Sequence, residues 1–359
     1  MKKRFVRTVL VGISLSMSLA LAGCGEKKQV ENRQLRVGIC LYDQKDTFVS
    51  ALADCFREDL TKMGLASTDV TVDLRDAEKS QQMQDDQVGD LIDEGVDVLC
   101  INPVDRASLS DCIEQARSAD VPIIFFNREP VAEDLGQWDR LYYVGADARE
   151  SGKLQGQVAA DYVKDHPEVD KNGDGRIQYV ILEGQPGHQD SIIRTEKVEP
   201  AMTDEGISVE KLGTEVANWS RAQAISRMQT LISEYHSSIE MVLANNDDMA
   251  MGAADAYKKL NVTETDVPPI FGVDGTKAGL NALIDGAITA TVYNDKESQA
   301  MMMATLAVRA ARGEDTSSLP LENGKAYYAH YYKVTSDNVK DFTSRQEKMS
   351  LEDVLSGPA

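Results

Sequence analysis

Short apolar runs alternate with longer amphipathic stretches along most of the chain. The short runs are rich in β-branched and aromatic residues, which is typical of buried strands. The first series of predicted strands is LRVGICLY, VTVDLRD, VDVLCI, VPIIFF and LYYVG. Helical segments such as TFVSALADCFREDLTKMG and SLSDCIEQARSAD lie between them. This alternation predicts βαβ units on a parallel sheet.

A second series of the same kind follows. Its strands are predicted at IQYVILEG, ISVEKLG, MVLANN, PPIFGVD and ITATVYND. Helices are predicted between them, for example at RAQAISRMQTLISEYH and DDMAMGAADAYKKL. The two series predict an α/β fold with two Rossmann-like, doubly wound lobes, and 359 residues are enough for two domains. Ligands of such sheets bind beyond the carboxyl ends of the strands.

The first 23 residues have the pattern of an export signal. Basic residues at positions 2, 3, 4 and 7 precede VLVGISLSMSLALAG, an apolar stretch too short for a comfortable membrane span. The stretch ends in LAGC, which resembles the bacterial lipobox and implies that Cys24 is lipidated after cleavage. The alternative is a short buried N-terminal helix. Residues 24–34 are predicted to be a flexible tether, so we expect an extracytoplasmic protein that meets the membrane only through its lipid.

The composition narrows the choice of partners. The formal net charge is -21 and the pI is near 4.6, so the chain should repel nucleic acid and anionic lipid surfaces. Small neutral ligands or cations are the expected partners. Beyond Cys24 the cysteines lack the spacing of a metal site, and we expect free thiols in the core. They are Cys40, Cys55, Cys100 and Cys112.

Polar side chains stand where predicted strands meet the helices that follow them. These junctions hold Asp46, Asn102 with Asp105, Asn245 to Asp247, Asp274, and Asn294 with Asp295. Planar amides and carboxylates can bind neighbouring hydroxyls, which suits a polyol. At any single junction a helix cap is the better explanation. The same chemistry at five junctions favours a polyol site.

From about Arg36 to Thr335 the chain resembles the periplasmic glucose/galactose-binding proteins of sugar ABC transporters. The resemblance is carried by INPVD, FFNREP, EGQPGHQD, ANNDDMAMGA, FGVDG and VYND, which stand in the family's order. It implies a type I periplasmic binding protein, in which two lobes joined by a three-segment hinge close on one pyranose. The expected N-terminal lobe is 35–122 plus 294–327. The expected C-terminal lobe is 123–293 plus 328–345, with a tail at 346–359.

The same resemblance implies a set of sugar-binding residues. Phe48 and Trp219 would stack on the two faces of the ring, one from each lobe. Hydrogen bonds to the hydroxyls would come from Asp46, Asn102, His188, Asp190, Arg194, Asn246, Asp274 and Asn294. Asp190 and Arg194 are four residues apart and would share a helix face.

The predicted function is that of a monomeric solute-binding protein that delivers glucose or galactose to an ABC permease. A histidine beside a carboxylate can suggest acid–base catalysis, but no matched second carboxylate or nucleophile accompanies His188 and Asp190, so we do not expect an enzyme. A sugar sensor docking to a chemoreceptor or a histidine-kinase ectodomain is one alternative, and another monosaccharide is a second. A transcriptional regulator of related fold would carry a basic DNA-binding segment where this chain has its export signal.

The stretch DKNGDGRIQYVI, residues 170–181, begins like a calcium-binding loop. Asp170, Asn172 and Asp174, with Gly175 next, have the spacing of the first half of an EF-hand loop. The last position should be a bidentate Glu but is Ile181, inside a run that predicts a core strand. The missing carboxylate must therefore come from elsewhere. The alternative is a solvated turn before the strand.

The family resemblance supplies that carboxylate at Glu240, just before the strand MVLANN. It also implies the backbone carbonyl of Arg176 and the side chain of Gln178 as ligands. Three carboxylates with flexible oxygen geometry favour structural Ca²⁺ over Mg²⁺.

Overall fold

A computed structural model describes residues 34–63, 69–345 and 350–356. The predicted signal peptide 1–23, the lipidation site Cys24 and nearly all of the tether lie outside these ranges. In chain order the strands are β1 (Leu35–Leu41), β2 (Val70–Asp76), β3 (Val98–Ile101), β4 (Ile123–Phe126), β5 (Leu141–Ala146), β6 (Ile177–Glu183), β7 (Val209–Val216), β8 (Met241–Ala244), β9 (Ile270–Phe271), β10 (Thr291–Asn294), β11 (Ala326–Ala329) and β12 (Tyr331–Val334).

Helices follow most of the strands, as the alternating pattern predicts. They are α1 (Thr47–Lys62), α2 (Gln81–Asp93), α3 (Ser110–Ser118), α4 (Ala132–Leu135), α5 (Ala148–Asp165), α6 (Gln189–Asp204), α7 (Arg221–Tyr235), α8 (Asp247–Lys259), α9 (Lys277–Ile284), α10 (Lys296–Arg312), α11 (Val339–Phe342) and α12 (Leu351–Ser356). Short 3₁₀ turns occupy Pro167–Val169, His236–Ser238 and Glu264–Asp266. None of the helices in the described ranges is both long and apolar enough to cross a membrane.

The N-terminal lobe is built on a parallel six-stranded sheet with the order β11-β5-β4-β3-β1-β2. Val37 in the central strand β1 lies opposite Val72 of β2 and Val98 of β3. Strands β1 and β3 are buried on both faces, as continuous apolar runs predict, whereas the edge strand β2 is only partly buried. The carboxyl ends of β1, β3 and β4 meet at one edge, where the junction residues of this lobe stand.

The C-terminal lobe has a parallel sheet with the order β7-β6-β8-β9. Isolated parallel bridges from Phe271 to Ala290 and from Asp274 to Tyr293 bring β10 beside it, and β12 pairs antiparallel with β10. The carboxyl ends of β6, β7, β8 and β9 again share an edge. The predicted fold class, two doubly wound α/β lobes, is confirmed.

The predicted boundary after residue 122 is wrong. Strands β4 and β5 pair with β3 and belong to the N-terminal sheet, so this lobe continues to Ala146. The predicted break after residue 327 also comes too early, because β11 stays paired with β5 through Ala329. The chain thus crosses between the lobes after β5, after β10 and between β11 and β12.

The C-terminal tail returns to the N-terminal lobe. Phe342 in α11 packs against Tyr293 and Tyr332 of the C-terminal lobe. Arg345 then bonds Asp295 at the second crossover, with 2.6 Å between Nη2 and Oδ2. Val354 of α12 is buried in the N-terminal core. The predicted tail therefore includes a helix packed on the opposite lobe.

The cysteines lie where the sequence predicts. Cys40, Cys55, Cys100 and Cys112 are buried and unpaired with one another. Burial raises the pKa of the Cys55 thiol to about 12, so that thiol stays protonated and unreactive at neutral pH. The prediction of free core thiols is confirmed.

Candidate ligand-binding site

A cavity lies between the two lobes at the edges where the strands end. The space inside it together with its open mouth is about 290 Å³. Both lobes contribute to the wall. The lining residues are Asp46, Phe48, Val49, Asn127, His188, Asp190, Arg194, Trp219, Asn246 and Asp274. Eight of the predicted sugar-binding residues are thus brought to one space.

The N-terminal wall is formed by the start of α1. The carboxylate of Asp46 caps this helix, since its Oδ1 accepts from the Val49 amide at 3.0 Å. Its Oδ2 accepts from the hydroxyl of Tyr42 at 2.6 Å. Phe48, in the first turn of α1, is only 4% exposed and also belongs to the core of its lobe. Each side chain therefore supports the lobe and faces the cavity.

His188 stands at the start of α6 in the C-terminal lobe. Its Nδ1 accepts from the Asp190 amide at 3.1 Å, which caps the helix. Burial, together with Arg128 and Arg194, lowers the pKa of His188 well below its usual value. The ring is therefore neutral, and a neutral ring that accepts at Nδ1 carries its hydrogen on Nε2. His188 can act as a hydrogen-bond donor from Nε2.

Arg194 is a buried cation at the centre of the C-terminal wall, with a side chain 3% exposed. It lies one helical turn after Asp190, as the spacing predicts. Two carboxylates neutralise it, Asp190 at 3.0 Å and Asp274 at 3.4 Å. Further hydrogen bonds run to Asn245 O, Tyr331 Oη and Ser151 Oγ. Burial raises the pKa of both carboxyls while Arg194 opposes the rise.

Trp219 closes one side of the cavity from the loop after β7. Gly184 leaves room for the indole, because a Cβ there would stand 2.2 Å from Trp219 Cη2. The His188 ring meets the indole edge-to-face, with 5.1 Å between centroids. The indole Nε1 is buried and has no hydrogen-bond partner. Contacts within the lobe thus fix the indole beside the cavity.

Four residues other than glycine have positive φ at or beside this site. Asn127 (φ 60°), Asn218 (φ 52°), Trp219 (φ 63°) and Asp274 (φ 111°) all lie in the region that favours glycine. Non-glycine residues in such conformations are strained, and they cluster where side chains are held for function. Three of the four, all but Asn218, line the cavity.

Two predicted contact residues do not reach the cavity wall. The Asn102 amide nitrogen donates to Phe126 O at 3.0 Å, and its oxygen is buried without a partner. Asn294 is 2% exposed, and its Oδ1 accepts from Gln299 at 2.7 Å. Contact of either residue with a ligand stays a prediction.

The polar residues at the strand-to-helix junctions cap helices, and some of them also line the cavity. Asn246 lines the cavity and also caps α8, since its Oδ1 accepts from the Met249 amide at 2.9 Å. Asp295 caps α10 without lining the cavity. Sequence reasoning missed Asn127, although it follows β4 in the motif FFNREP as the other junction residues follow their strands.

The predicted calcium loop and Glu240 lie side by side. Glu240 is 1% exposed, and its Oε1 accepts from the Lys171 amide at 2.7 Å. Its Oε2 accepts from the Gln178 amide at 3.0 Å. This placement follows from the pairing of β6 with β8, and a role of Glu240 as a metal ligand stays a prediction.

The other side-chain oxygen atoms of the loop accept hydrogen bonds from groups of the same loop. Asp170 accepts from the amides of Gly173 and Gly175 at 2.8 and 2.9 Å. Asp174 accepts from the side chain of Gln178 at 2.9 Å. Within the part of the chain that the structure describes, no group of three or more His, Cys, Asp or Glu side chains is placed to hold a metal ion. The calcium site stays a prediction.

Comparison with known proteins gives a consistent result. The chain is 32% identical over 332 residues to the D-galactose/methyl-galactoside binding periplasmic protein of Haemophilus influenzae, covering 92% of this chain and 97% of that protein. It is 28% identical to the ribose import binding protein of Bacillus subtilis, covering 78% of this chain and 81% of that protein.

Among solved structures, an ABC transporter solute-binding protein from Bacillus halodurans with bound myo-inositol is similar, with a TM-score of 0.73 and 26% identity. The match covers 88% of this chain and 99% of that one. The family model of the periplasmic binding protein domain matches residues 37–315, which is more than half of the chain. With its two lobes, three crossovers and interlobe cavity, the chain belongs to the periplasmic binding protein family.

Proposed function

We propose that this chain is the receptor of a sugar ABC transporter and that it binds a hexose, glucose or galactose, in the cavity between its lobes. One observation carries the proposal: Phe48 and Trp219, on opposite lobes, line the same small space with polar side chains around them. Flat aromatic rings bind the C–H-rich faces of a pyranose by apolar burial and dispersion. The chain similarity to a galactose-binding relative supports the same ligand class.

The polar groups of the wall can hold a ring of hydroxyls. Asp46, Asp190 and Asp274 offer carboxylate acceptors, while His188 Nε2 and the side-chain amide of Asn246 offer donors, and Arg194 holds Asp190 and Asp274 in place. Each sugar hydroxyl can donate and accept at once, so such a mixed set suits a polyol. The receptor would bind the sugar without breaking a bond and present the closed form to a permease. Cys24 would tether it outside the cell membrane through a lipid.

Calorimetric titration with glucose, galactose, ribose, xylose and arabinose tests the ligand. We expect one or both hexoses to bind near micromolar, about 8 kcal/mol, with each pentose at least tenfold weaker. A pentose lacks a hydroxymethyl group, so it buries less surface and makes fewer hydrogen bonds. Myo-inositol serves as a control because a related structure binds it. Tighter binding of a pentose or of inositol than of both hexoses would contradict the proposal.

We propose in addition that calcium binds the loop 170–178 together with Glu240. The chemistry of the donors fits a hard cation: three carboxylates, an Asn and a Gln lie together, and Glu240 is buried. The two cationic side chains of the loop point elsewhere, Lys171 to Asp266 O and Arg176 to Glu210. A bound cation would supply the missing positive charge and join segments about 60 residues apart in sequence.

Adding a chelator should lower the melting temperature, and restoring calcium should raise it again. At a free calcium concentration 100 times its Kd, binding stabilises the folded chain by about 2.7 kcal/mol. Hexose affinity should stay within a factor of two, because Glu240 and the loop are absent from the cavity wall. Thermal melts with EGTA and with calcium provide the measurement.

The matched variants are Glu240→Gln, which should abolish the calcium response, and Glu210→Gln, which should keep it. Identical melts of the wild type with EGTA and with calcium would refute the metal site and leave the sugar proposal untouched.

A further inference from the structure

Arg128 is a buried cation that the ligand cavity does not use. It follows Asn127 at the end of β4, is 4% exposed, and forms no ion pair with a carboxylate of the described residues. Its guanidinium carbon lies 3.6 Å from the centroid of the Tyr42 ring. Its Nη1 donates to Val104 O at 2.6 Å. These contacts hold the side chain within the N-terminal lobe.

The other terminal nitrogen of Arg128, Nη2, contacts the opposite lobe. This nitrogen donates to Gln185 Oε1 at 2.7 Å, and Gln185 follows β6 of the C-terminal lobe. A second bond runs beside it, from Gln189 Nε2 to Asn127 O at 3.3 Å. Both bonds join the two lobes at a contact that we call the seam, formed by Asn127 and Arg128 on one side and by Gln185 and Gln189 on the other.

This seam is connected to the cavity on both sides. In the C-terminal lobe, the His188 amide donates to Gln185 O at 3.2 Å. Gln185, which accepts from Arg128, and His188, which lines the cavity, therefore belong to the same turn. In the N-terminal lobe, Arg128 packs on the ring of Tyr42, and the hydroxyl of Tyr42 donates to Asp46 Oδ2. Arg128 thus lies between two cavity-lining groups without lining the cavity itself.

We propose that Arg128 is a positioning residue whose bond to Gln185 locks the lobes in the closed form. The proposal rests on the hexose-binding function proposed above. When the lobes open, Arg128 keeps Tyr42 and Val104 but loses its partner across the seam. A hydrogen bond from a charged donor is stronger than one between neutral groups, and here it forms in a place removed from water. The lock therefore acts on the closed state alone.

A closed-state contact has a kinetic signature. Sugar enters the open form, in which the Arg128–Gln185 bond is absent, so the association rate constant should not depend on it. The dissociation rate constant should depend on it, because release requires opening. A merely structural role of Gln185 would lower stability without separating the two rate constants.

Gln185→Ala is the decisive variant, since it leaves Arg128 and its contacts within the N-terminal lobe in place. We expect hexose dissociation to become about tenfold faster, with association changed less than twofold. Gln157→Ala is the matched control, because Gln157 bonds Glu205 within one lobe. Stopped-flow kinetics give both rate constants. Equal dissociation from Gln185→Ala and from wild type would overturn the proposal.

A double-mutant cycle with Arg128→Met shows whether the two residues act together. The dissociation rate of the double variant should match that of Arg128→Met alone, whereas effects that multiply would overturn the lock. Interlobe distances from paired spin labels provide a readout without sugar, and Gln185→Ala should lower the closed fraction. If the wild type bound no sugar, the hexose proposal would fail, and an unchanged closed fraction would separately refute the lock.

Discussion

Replacing Arg194 with Met should lower the free energy of unfolding by about 3–5 kcal/mol, the cost of breaking a buried ion pair from one side. The substitution keeps much of the side-chain volume but leaves Asp190 and Asp274 buried without their cation. It also removes donors to Asn245 O and Tyr331 Oη. Urea unfolding of the two proteins at neutral pH measures the difference.

The loss should depend on pH in a definite direction. Burial already raises the pKa of Asp190 and Asp274, and Arg194 opposes the rise, so removing the cation should raise both values further. A carboxyl whose folded pKa exceeds its unfolded pKa binds its proton more tightly in the folded state. Stability therefore increases as the pH falls toward the unfolded value. The deficit of Arg194→Met should be smaller at pH 5 than at pH 8.

Arg176→Met provides a matched control on the surface. Arg176 is 53% exposed and pairs with Glu210, also exposed, at 3.4 Å. Such pairs contribute about 0–1 kcal/mol, so this variant should unfold almost as the wild type does. If Arg194→Met lowered the free energy of unfolding as little as Arg176→Met, the ion pairs of Arg194 with Asp190 and Asp274 would not stabilise the fold.

Local patterns predicted most of the fold because the central strands of each lobe are buried on both faces, while only edge strands such as β2 and β7 are half-exposed. The ten apolar runs all form strands, and the four amphipathic segments singled out all form helices. The strands β11 and β12 were missed. Their sequences, AYYA and YYKV, are partly exposed and half tyrosine, and β12 also carries a lysine, so they lack the continuous apolar character of a central strand.

The lobe boundary could not be predicted from such patterns. Strands β4 and β5 look like any other buried strand, and only their pairing with β3 assigns them to the N-terminal sheet. That pairing depends on contacts between segments distant in sequence. The amino-acid composition does not change at the three points where the chain crosses from one lobe to the other.

The site shows the same division between local and long-range information. The four-residue spacing of Asp190 and Arg194 was sufficient to predict that they share a helix face, where the structure pairs them at 3.0 Å. The seam around Arg128 was not predictable, because a basic residue after a strand in an acidic chain normally lies in solvent. Its burial depends on Tyr42, which follows β1 in the N-terminal lobe, and on Gln185, which follows β6 in the C-terminal lobe.

Trp219→Ala should weaken hexose binding by about 2–4 kcal/mol, the range of an aromatic residue at the centre of a binding surface. The indole is held by Gly184 beneath it and by the edge of His188, and it lines the cavity with Phe48. Alanine would leave one face of the sugar without a partner. Titration calorimetry measures the loss, and a change below threefold would contradict the stacking role.

Gly184→Ala tests whether hexose binding requires the indole of Trp219 at its present position, because this variant keeps the indole but moves it. Gly184 does not have positive φ, so alanine suits the backbone, but its Cβ would lie 2.2 Å from the indole and must displace it. We expect hexose affinity to fall at least tenfold although Trp219 is retained, because stacking requires a ring placed at van der Waals distance from the sugar. Gly136→Ala is the control, since a Cβ there meets nothing closer than 3.5 Å. Wild-type affinity in Gly184→Ala, beside a large loss in Trp219→Ala, would mean that the indole binds sugar from a different position than the one described.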